Sequence, residues 1–384
     1  MSETLLIAGA GRLGSAALEV LAMRFPEWRF IVVSRDSASA SMQLNLIRYV
    51  LAQWDTFPNI QHVACDLRDS SMFAEVVDET KPSIIFNATT PFPWWQIDNL
   101  PDGLGATAHA AGPGMWAALD LLLPLSIVDG LQKSTFDGIF VNGCYPDMTN
   151  AFLRDHAHAP EVGIGNLSNL IPGLRLSYAH EWDIDARDIA VRLVAHHYTS
   201  LNGPSLSGGE NVPFFLEITS GSRRQVIVGP NAEPFEILAR RAPRTRGVAG
   251  QGVTANSAAT VLAALMARRE LSAHCPGPLG LPGGYPVKIA NRSVTLNLPD
   301  ELDVAAAVGI NEEAQRHDGI AWVGAGEVSL TEEAIQAQEQ VLGYSFPQVT
   351  SENVIEIAEQ TISTLWNRYH LGYAHGKNLR TSSV

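Results

Sequence analysis

Two groups of residues in this chain have types and spacings that could do chemistry. The first is Gly9-Ala10-Gly11-Arg12-Leu13-Gly14, which follows directly on the apolar run Thr4-Leu5-Leu6-Ile7-Ala8 and opens onto a helical pattern from Ser15 to about Phe25. Glycines at that spacing between a strand and a helix make a pyrophosphate cradle. The first lets the chain turn sharply, the second lets backbone approach the phosphates, and the third lets helix and strand pack closely. The N–H groups of the first helical turn, aided by the helix dipole, then face the anion. The second group is the adjacent pair His196-His197. Imidazole titrates in the range that general acid–base work requires, and a bound redox nucleotide needs such a group beside the reacting carbon.

These residues are positioned by alternating elements. After the opening unit, Arg29 to Ser34 reads as a second buried strand, about Ala38 to Trp54 as a helix, and Gln61 to Cys65 as a third strand. Met72 to Glu79 is a helix, Ser83 to Asn87 the fourth strand, Met115 to Leu131 a helix and Gly138 to Asn142 the fifth strand. Strands spaced by helices of this length imply right-handed crossovers and an α/β, doubly wound parallel sheet of the Rossmann type over residues 1–150. The segment from Pro91-Phe92-Pro93-Trp94-Trp95 through Gly112-Pro113-Gly114 leaves the carboxyl edge of that sheet, where ligands bind in such folds.

The grammar changes beyond residue 150. Ala190 to Thr199, Val212 to Thr219 and Arg224 to Val228 read as antiparallel strands, with Asn256 to Arg269 a helix. A Gly/Pro-rich connector (276–284), strands near Val287 and Val294, and helices at about Asp303 to His317, Thr331 to Leu342 and Ser351 to Tyr369 complete an α+β catalytic and oligomerisation domain over 151–375. Residues 376–384 are expected to form a disordered tail.

The end of the second strand decides the cofactor. Rossmann units for NAD place an acid there to accept the ribose 2′-hydroxyl, whereas those for NADP place Arg near the 2′-phosphate. Here the position reads Ser34-Arg35-Asp36, which favours NADP through Ser34 and Arg35 and leaves NAD possible through Asp36. Asp66 stands where adenine is often touched, and Asn87-Ala88-Thr89 end the fourth strand beside the glycine loop. The cofactor site expected is therefore Gly9, Gly11, Arg12, Leu13, Gly14, Ser34, Arg35, Asp66, Asn87, Ala88 and Thr89.

Residues 7–14, the run Cys65-Asp66-Leu67-Arg68-Asp69 and Ile84-Ile85-Phe86-Asn87-Ala88 resemble the NAD(P)-binding domain of the saccharopine dehydrogenase family. Short-chain dehydrogenase chemistry is rejected, because its Tyr-x-x-x-Lys pair occurs here only as Tyr373 and Lys377, far from where that family carries it. The middle of the chain, Val141-Asn142-Gly143-Cys144-Tyr145-Pro146-Asp147, is similar to the Val-Asn-Pro-x-Asp turn of lactate and malate dehydrogenases. That resemblance implies that Asn142 helps hold nicotinamide and substrate. It also implies a following helix with an acid that orients a catalytic histidine and an Arg that clamps the substrate carboxylate. The separation of Asn142 from His197 is close to that family's spacing, so His197 is the expected acid/base, oriented by Asn169 or by Glu181 or Asp183, with His180 in reserve. The departures are Asn169 where an acid is expected, Pro172 near the Arg position, and no Gly-x-His-Gly; Arg175 is the substitute clamp.

Two further features bear on the substrate. Arg240, Arg241, Arg244 and Arg246 could hold an anion or form a solvated face, and the loop Ser205 to Asn211 could close over a ligand. No cluster has credible metal-ligand spacing. The net charge of −14 argues against nucleic acid or an anionic membrane as partner. The cysteines at 65, 144 and 275 form neither a disulfide framework nor a zinc motif, which fits a reducing compartment. With no apolar run near the ~20 residues of a membrane span and no room for a signal peptide before the first strand, a cytoplasmic protein is expected. The expectation is an NADP-preferring oxidoreductase of a small carbonyl, imine or hydroxy/amino acid, whose partners are the substrate and a second copy in a homodimer. The alternative is a non-catalytic NAD(P)-binding sensor or scaffold on the same fold.

Overall fold

Strands too apolar to face water on either side form the centre of the molecule. The computed structural model describes residues 3–101, 103–202, 212–245 and 250–371. In its first half, strands β1 (Thr4–Ala8), β2 (Arg29–Ser34), β3 (Asn59–Ala64), β4 (Ile84–Asn87), β5 (Ile139–Asn142) and β6 (Val162–Gly163) alternate with helices α1 (Arg12–Arg24), α2 (Ser37–Ala52), α3 (Ser70–Thr80), α4 (Leu104–Ala111), α5 (Ala117–Gln132) and α6 (Pro146–Leu153). The strands lie in the order β3-β2-β1-β4-β5-β6, and all pairs are parallel. This is the doubly wound order, with its switch point between β1 and β4, where a crevice opens at the carboxyl edge. Strands β1, β4 and β5 are buried along their whole length, as helices on both faces require. Asp36 and Asp69 cap α2 and α3 by accepting backbone N–H bonds from the first turn.

The second half contributes α7 (Ile171–Trp182), β7 (Ala190–Val194), α8 (His197–Asn202), β8 (Phe215–Ser220), β9 (Arg223–Val228), α9 (Glu233–Arg241) and α10 (Gln251–Ala267). It continues with β10 (Leu271–Pro276), β11 (Gly284–Ala290), β12 (Ser293–Leu296), α11 (Val304–Ala314), β13 (Ile320–Gly324), β14 (Glu327–Leu330), α12 (Glu332–Leu342), β15 (Gln348–Thr350) and α13 (Val354–Tyr369). Consecutive strands form three antiparallel three-stranded sheets, β7-β8-β9, β10-β11-β12 and β13-β14-β15. Two of these elements return to the parallel sheet: α10 packs against α1 on one face, and α13 packs against α5 on the other. The two large apolar cores therefore run across residue 150, one joining β1 and α5 to α12 and α13, the other joining α1 and β2 to α10 and β11.

Three expectations are corrected. The strand expected over Ala190 to Thr199 stops at Val194; Ala195 makes one bridge to Gly284, and His197 begins α8. The helix expected to Asp303–His317 is α11 followed by a tighter 3-10 turn, Gln315–Asp318. One stretch does reach the length of a membrane span: Pro113–Gln132 is 20 residues long and apolar enough, but 78% of its apolar window is buried inside the protein, as befits a core helix of the sheet's covering layer. The expected loop 205–211, Arg246 and the tail from 376, with Tyr373 and Lys377, lie outside the described residues.

Candidate active site

The glycine loop has the geometry its spacing demands. Gly9 turns out of β1 with φ +108°, a conformation that side chains disfavour, and its N–H donates to Val33 O at 2.8 Å. A Cβ on Gly14 would stand 2.2 Å from the Gly9 carbonyl, so helix and turn touch only because that position is bare. Gly11 is different: a Cβ there meets nothing within 4 Å. It precedes α1 as its cap, yet supplies no side-chain cap, and no acid lies in the first turn. The first N–H groups of α1 thus open onto space with no competing negative charge, a fit for a dinucleotide's phosphates. Exposed Arg12 and half-buried Leu13 begin the helix.

The neighbouring strand ends complete this edge. Ala88 N–H donates to Ala8 O at 2.8 Å, and Thr89 caps back onto Asn87 Oδ1 through both its N–H (3.1 Å) and its hydroxyl (2.6 Å). At the end of β2, Ser34 Oγ lies 2.9 Å from His62 Nε2, and Arg35 is exposed. Asp66 is ion-paired with Arg68 at 2.6 Å, and that pairing, together with the nearby Arg35 charge, outweighs its burial and lowers its pKa.

The histidines meet a residue that sequence reading missed. His197 Nδ1 lies 2.8 Å from Asp318 Oδ2, and the Tyr145 hydroxyl donates to the same oxygen at 3.0 Å. His196 Nδ1 stands 3.2 Å from that oxygen, within ion-pair reach but off hydrogen-bond geometry. Asp318 and His196 are buried, whereas the His197 side chain is 14% exposed. The Tyr145 ring meets His197 edge-on, with centroids 5.2 Å apart. Tyr145 follows β5 by three residues, and Gly143 N–H donates to Asn87 O at 2.8 Å, so the cluster stands at the carboxyl edge beside the glycine loop. The long segment after β4 holds Asp318 from behind. Added Cβ atoms on Gly112 and Gly114 would lie 2.5 Å and 2.7 Å from the Asp318 backbone, so that Gly-Pro-Gly turn is the seat on which Asp318 rests.

Electrostatics make this a proton-holding pair. Burial pulls the His197 pKa down, but the charge and hydrogen bond of Asp318, with Asp147 and Asp120, raise it above the usual histidine value. Burial pushes the Asp318 carboxyl up, yet the charges of His197 and His196 and their contacts hold it well below the usual carboxylate range. Asp120, in the first turn of α5, is pushed up to about 7 by burial, against a hydrogen bond from Cys144 and the His197 charge. Cys144 itself is kept a thiol by burial and by Asp120, so it is no nucleophile. With Nδ1 on Asp318, Nε2 is the nitrogen through which His197 would exchange a proton.

No protein-family model matches this sequence, and no curated protein matches it either. Solved structures do. The malate dehydrogenase of Cryptosporidium parvum superposes with a TM-score of 0.53 at 12% identity, over 83% of this chain and 98% of that one. The apo malate dehydrogenase of Picrophilus torridus gives 0.52 at 14%, over 83% and 97%. The lactate dehydrogenase of Cryptosporidium parvum, solved with lactic acid and nicotinamide adenine dinucleotide, gives 0.50 at 12%, over 83% and 98%. The fold is that of the lactate and malate dehydrogenases. None of these three structures is a saccharopine dehydrogenase, and they lend that N-terminal resemblance no support.

Within this dehydrogenase fold, the sequence-derived roles are redistributed. Asn142 sits at the expected strand end but is fully buried and fully bonded: its Oδ1 accepts from Asn87 at 2.9 Å, and its Nδ2 donates to Thr149 (2.7 Å) and Asn150 (2.9 Å). It ties β4 to β5 and α6. Asn169 does not orient His197; its Nδ2 donates to Thr254 Oγ1 at 2.9 Å, and Asp318 takes the orienting place. Arg175 is no clamp, because its guanidinium donates to Ala186 O at 2.9 Å. Glu181 pairs with Arg240 (3.1 Å) and Arg241 (2.6 Å), which removes it from His197 and those arginines from an anion. His180 and Asp183 lie at the far end of α7. Among the described residues no group of three or more His, Cys, Asp or Glu is arranged to hold a metal ion.

Proposed function

We propose that this protein is an NADP-preferring oxidoreductase of a small hydroxy or carbonyl compound, with His197 as acid/base and Asp318 as the residue that positions it. The observation that carries this reading is the His197–Asp318 contact of 2.8 Å at the carboxyl edge of a dehydrogenase fold. When bound, the nicotinamide accepts or returns a hydride. His197 takes the hydroxyl proton during oxidation and gives it back during reduction, while Asp318 fixes the tautomer and stabilises the imidazolium. A sensor or scaffold on the same fold has no need of a partly exposed histidine locked to a buried carboxylate, so the catalytic reading is preferred to it.

Calorimetry tests the cofactor half. Gly11→Asp is expected to abolish NADPH and NADH binding, since it puts a carboxylate where phosphate belongs. Stability should hold, because the site has open space and backbone φ −76°, and Asp caps helices well. Arg35→Ala should weaken NADPH by ~10-fold or more and NADH little, as loss of one charge-assisted bond of ~1.5–3 kcal/mol requires. Unchanged binding by the folded Gly11 variant would refute the site, and equal losses at Arg35 would refute NADP preference.

A homodimer belongs to the same reading, but not through the C-terminal helices, since α13 is used inside the chain against α5. Support comes from α2, where Met42, Leu46, Tyr49 and Val50, followed by Trp54 and Phe57, are 40–76% exposed. Within α2 the only charged residue is Arg48, so a second copy of this acidic chain meets little like-charge repulsion there. These side chains offer roughly 600 Å² per copy, near the ~800 Å² of a standard interface. Light scattering should give a dimer for the native chain and a monomer for Tyr49→Asp/Trp54→Asp; a monomeric native chain at micromolar concentration removes the proposal.

A further inference from the structure

We propose that Tyr145 is a positioning residue for His197, an inference that rests on the oxidoreductase reading above. Its ring fixes the plane of the imidazole. Its hydroxyl shares Asp318 Oδ2 with His197 Nδ1 and so limits how tightly the carboxylate holds the imidazole proton. Two contacts carry this. The hydroxyl donates to Asp318 Oδ2 at 3.0 Å, the same oxygen that lies 2.8 Å from His197 Nδ1. The ring meets the imidazole edge-on, at 81° with centroids 5.2 Å apart. One side chain therefore touches both members of the pair.

The chain holds Tyr145 there at a conformational cost. Its φ of +38° lies in the left-handed region, which a bulky side chain disfavours, and Pro146 after it disfavours the right-handed helical alternative. Glycine or asparagine would fill such a position with less strain, so a tyrosine in it points to a task for the side chain. The turn is braced from both ends. Asn142 Oδ1 accepts from the Cys144 N–H at 3.0 Å, and Asn142 Nδ2 donates to Cys144 O at 3.2 Å. Tyr145 O accepts from the Thr149 N–H at 3.1 Å. The buried amide of Asn142 thus anchors the turn that delivers Tyr145 to Asp318.

Tyr145 is a donor here and not the acid of the reaction. Burial and the charges of Asp318, Asp147 and Asp120 hold its pKa well above the usual tyrosine range, so the hydroxyl keeps its proton. A donor on a carboxylate oxygen stabilises the ionised form and makes that oxygen a weaker acceptor for a second donor. Without the hydroxyl, Asp318 Oδ2 should accept more strongly from Nδ1–H, and the imidazolium should be better held. The other charges around His197 stay as they are: Asp120 from α5, Asp147 from α6, and His196, whose Nδ1 is 3.2 Å from Asp318 Oδ2. In the 3-10 turn that carries Asp318, Arg316 is exposed and His317 lies against Tyr198. The 3-10 turn Asn166–Asn169, which also packs on α8, has no charged side chain.

The imidazole proton can be read directly in the full-length protein. NMR titration of the His197 ring signals, assigned with His197→Gln, should give a pKa ~0.5–1 unit higher in Tyr145→Phe than in the native chain, a fraction of one hydrogen bond to a charge. The limb of the pH–kcat profile for oxidation should rise by the same amount, opposite in direction to the shift expected on removing Asp318. In an Asp318→Asn background, Tyr145→Phe should move neither quantity, because the oxygen it acts through is gone. Tyr145→Leu removes the ring as well and should lower kcat by ~10-fold or more, the cost of a misplaced proton-transfer group, while Phe stays within about 3-fold at its new optimum. A His197 pKa unmoved or lowered in Tyr145→Phe overturns the proposal, and so does a shift of equal size without Asp318. The titration needs no turnover, so a raised pKa in a chain that transfers no hydride upholds the link from Tyr145 through Asp318 to His197 and overturns the redox reading alone.

Discussion

Alanine at position 197 is expected to slow hydride transfer by ~10²–10⁴ while NADPH affinity stays unchanged, the usual loss when a positioned proton-transfer group is removed. The cofactor loop shares no side chain with the histidine cluster, so binding and chemistry separate cleanly in stopped-flow and calorimetric measurements. The fold pays a smaller penalty. Removing the imidazole leaves Asp318 Oδ2 with the Tyr145 hydroxyl as its hydrogen-bond donor, and a buried carboxylate short of one partner costs ~1–3 kcal/mol. His197→Gln offers an amide donor in place of Nδ1–H and should recover part of that stability without recovering turnover, because an amide cannot accept the substrate proton. Turnover within about 3-fold of the native protein in either variant would remove His197 from the chemistry.

What the sequence made legible was local. The glycine loop joins a strand to a helix between Thr4 and Arg24, and its apolar pattern, bare glycines and following helix name the same structure at every level. That the sheet is parallel and doubly wound followed from spacing and handedness; its order, β3-β2-β1-β4-β5-β6, is seen only in the fold. Asp318 was hidden because it meets His197 across 121 residues, and no local rule joins them. A signal did exist: Asn311, Gln315 and Asp318 repeat at helical spacing and are all buried, a polar stripe where an ordinary core helix would show apolar residues. The Gly112-Pro113-Gly114 turn was noticed for its length and composition, yet its purpose, close approach to the Asp318 backbone, requires the fold. His196 and His197 were read on a strand, where neighbours face opposite ways. The strand ends at Val194, and the turn that follows brings both rings to one carboxylate. Asn142 was found in the right place with the wrong task, since burial among Asn87, Thr149 and Asn150 consumes the amide that would have faced a ligand.

Asp318→Asn is expected to be the most informative change, because it alters rate, pH profile and stability in linked ways. Turnover should fall by ~10²–10⁴: an amide in this place can present its NH₂ to Nδ1, which leaves the proton on Nε2, the tautomer that cannot act as base. The pH dependence should move as well. In the native protein the carboxylates raise the His197 pKa against burial, so oxidation gains its base form only as pH rises through a value above the usual ~6.5. Without Asp318 the strongest raising influence is gone and burial pulls the other way, so that limb shifts to lower pH. Stability follows the same groups with a definite sign. The raised His197 pKa contributes stability that is complete below ~6.5 and lost as pH climbs through the folded value, while the depressed Asp318 pKa contributes stability present above ~3.9 and lost as pH falls through its folded value. The native protein's advantage over the variant should therefore peak at about pH 4–6.5, at the ~3–5 kcal/mol typical of breaking a buried pair, and shrink toward alkaline pH. Urea unfolding at pH 5.5 and 9 measures it. A difference equal at both values, together with an unmoved pH limb, would show that Asp318 packs beside His197 without holding its proton.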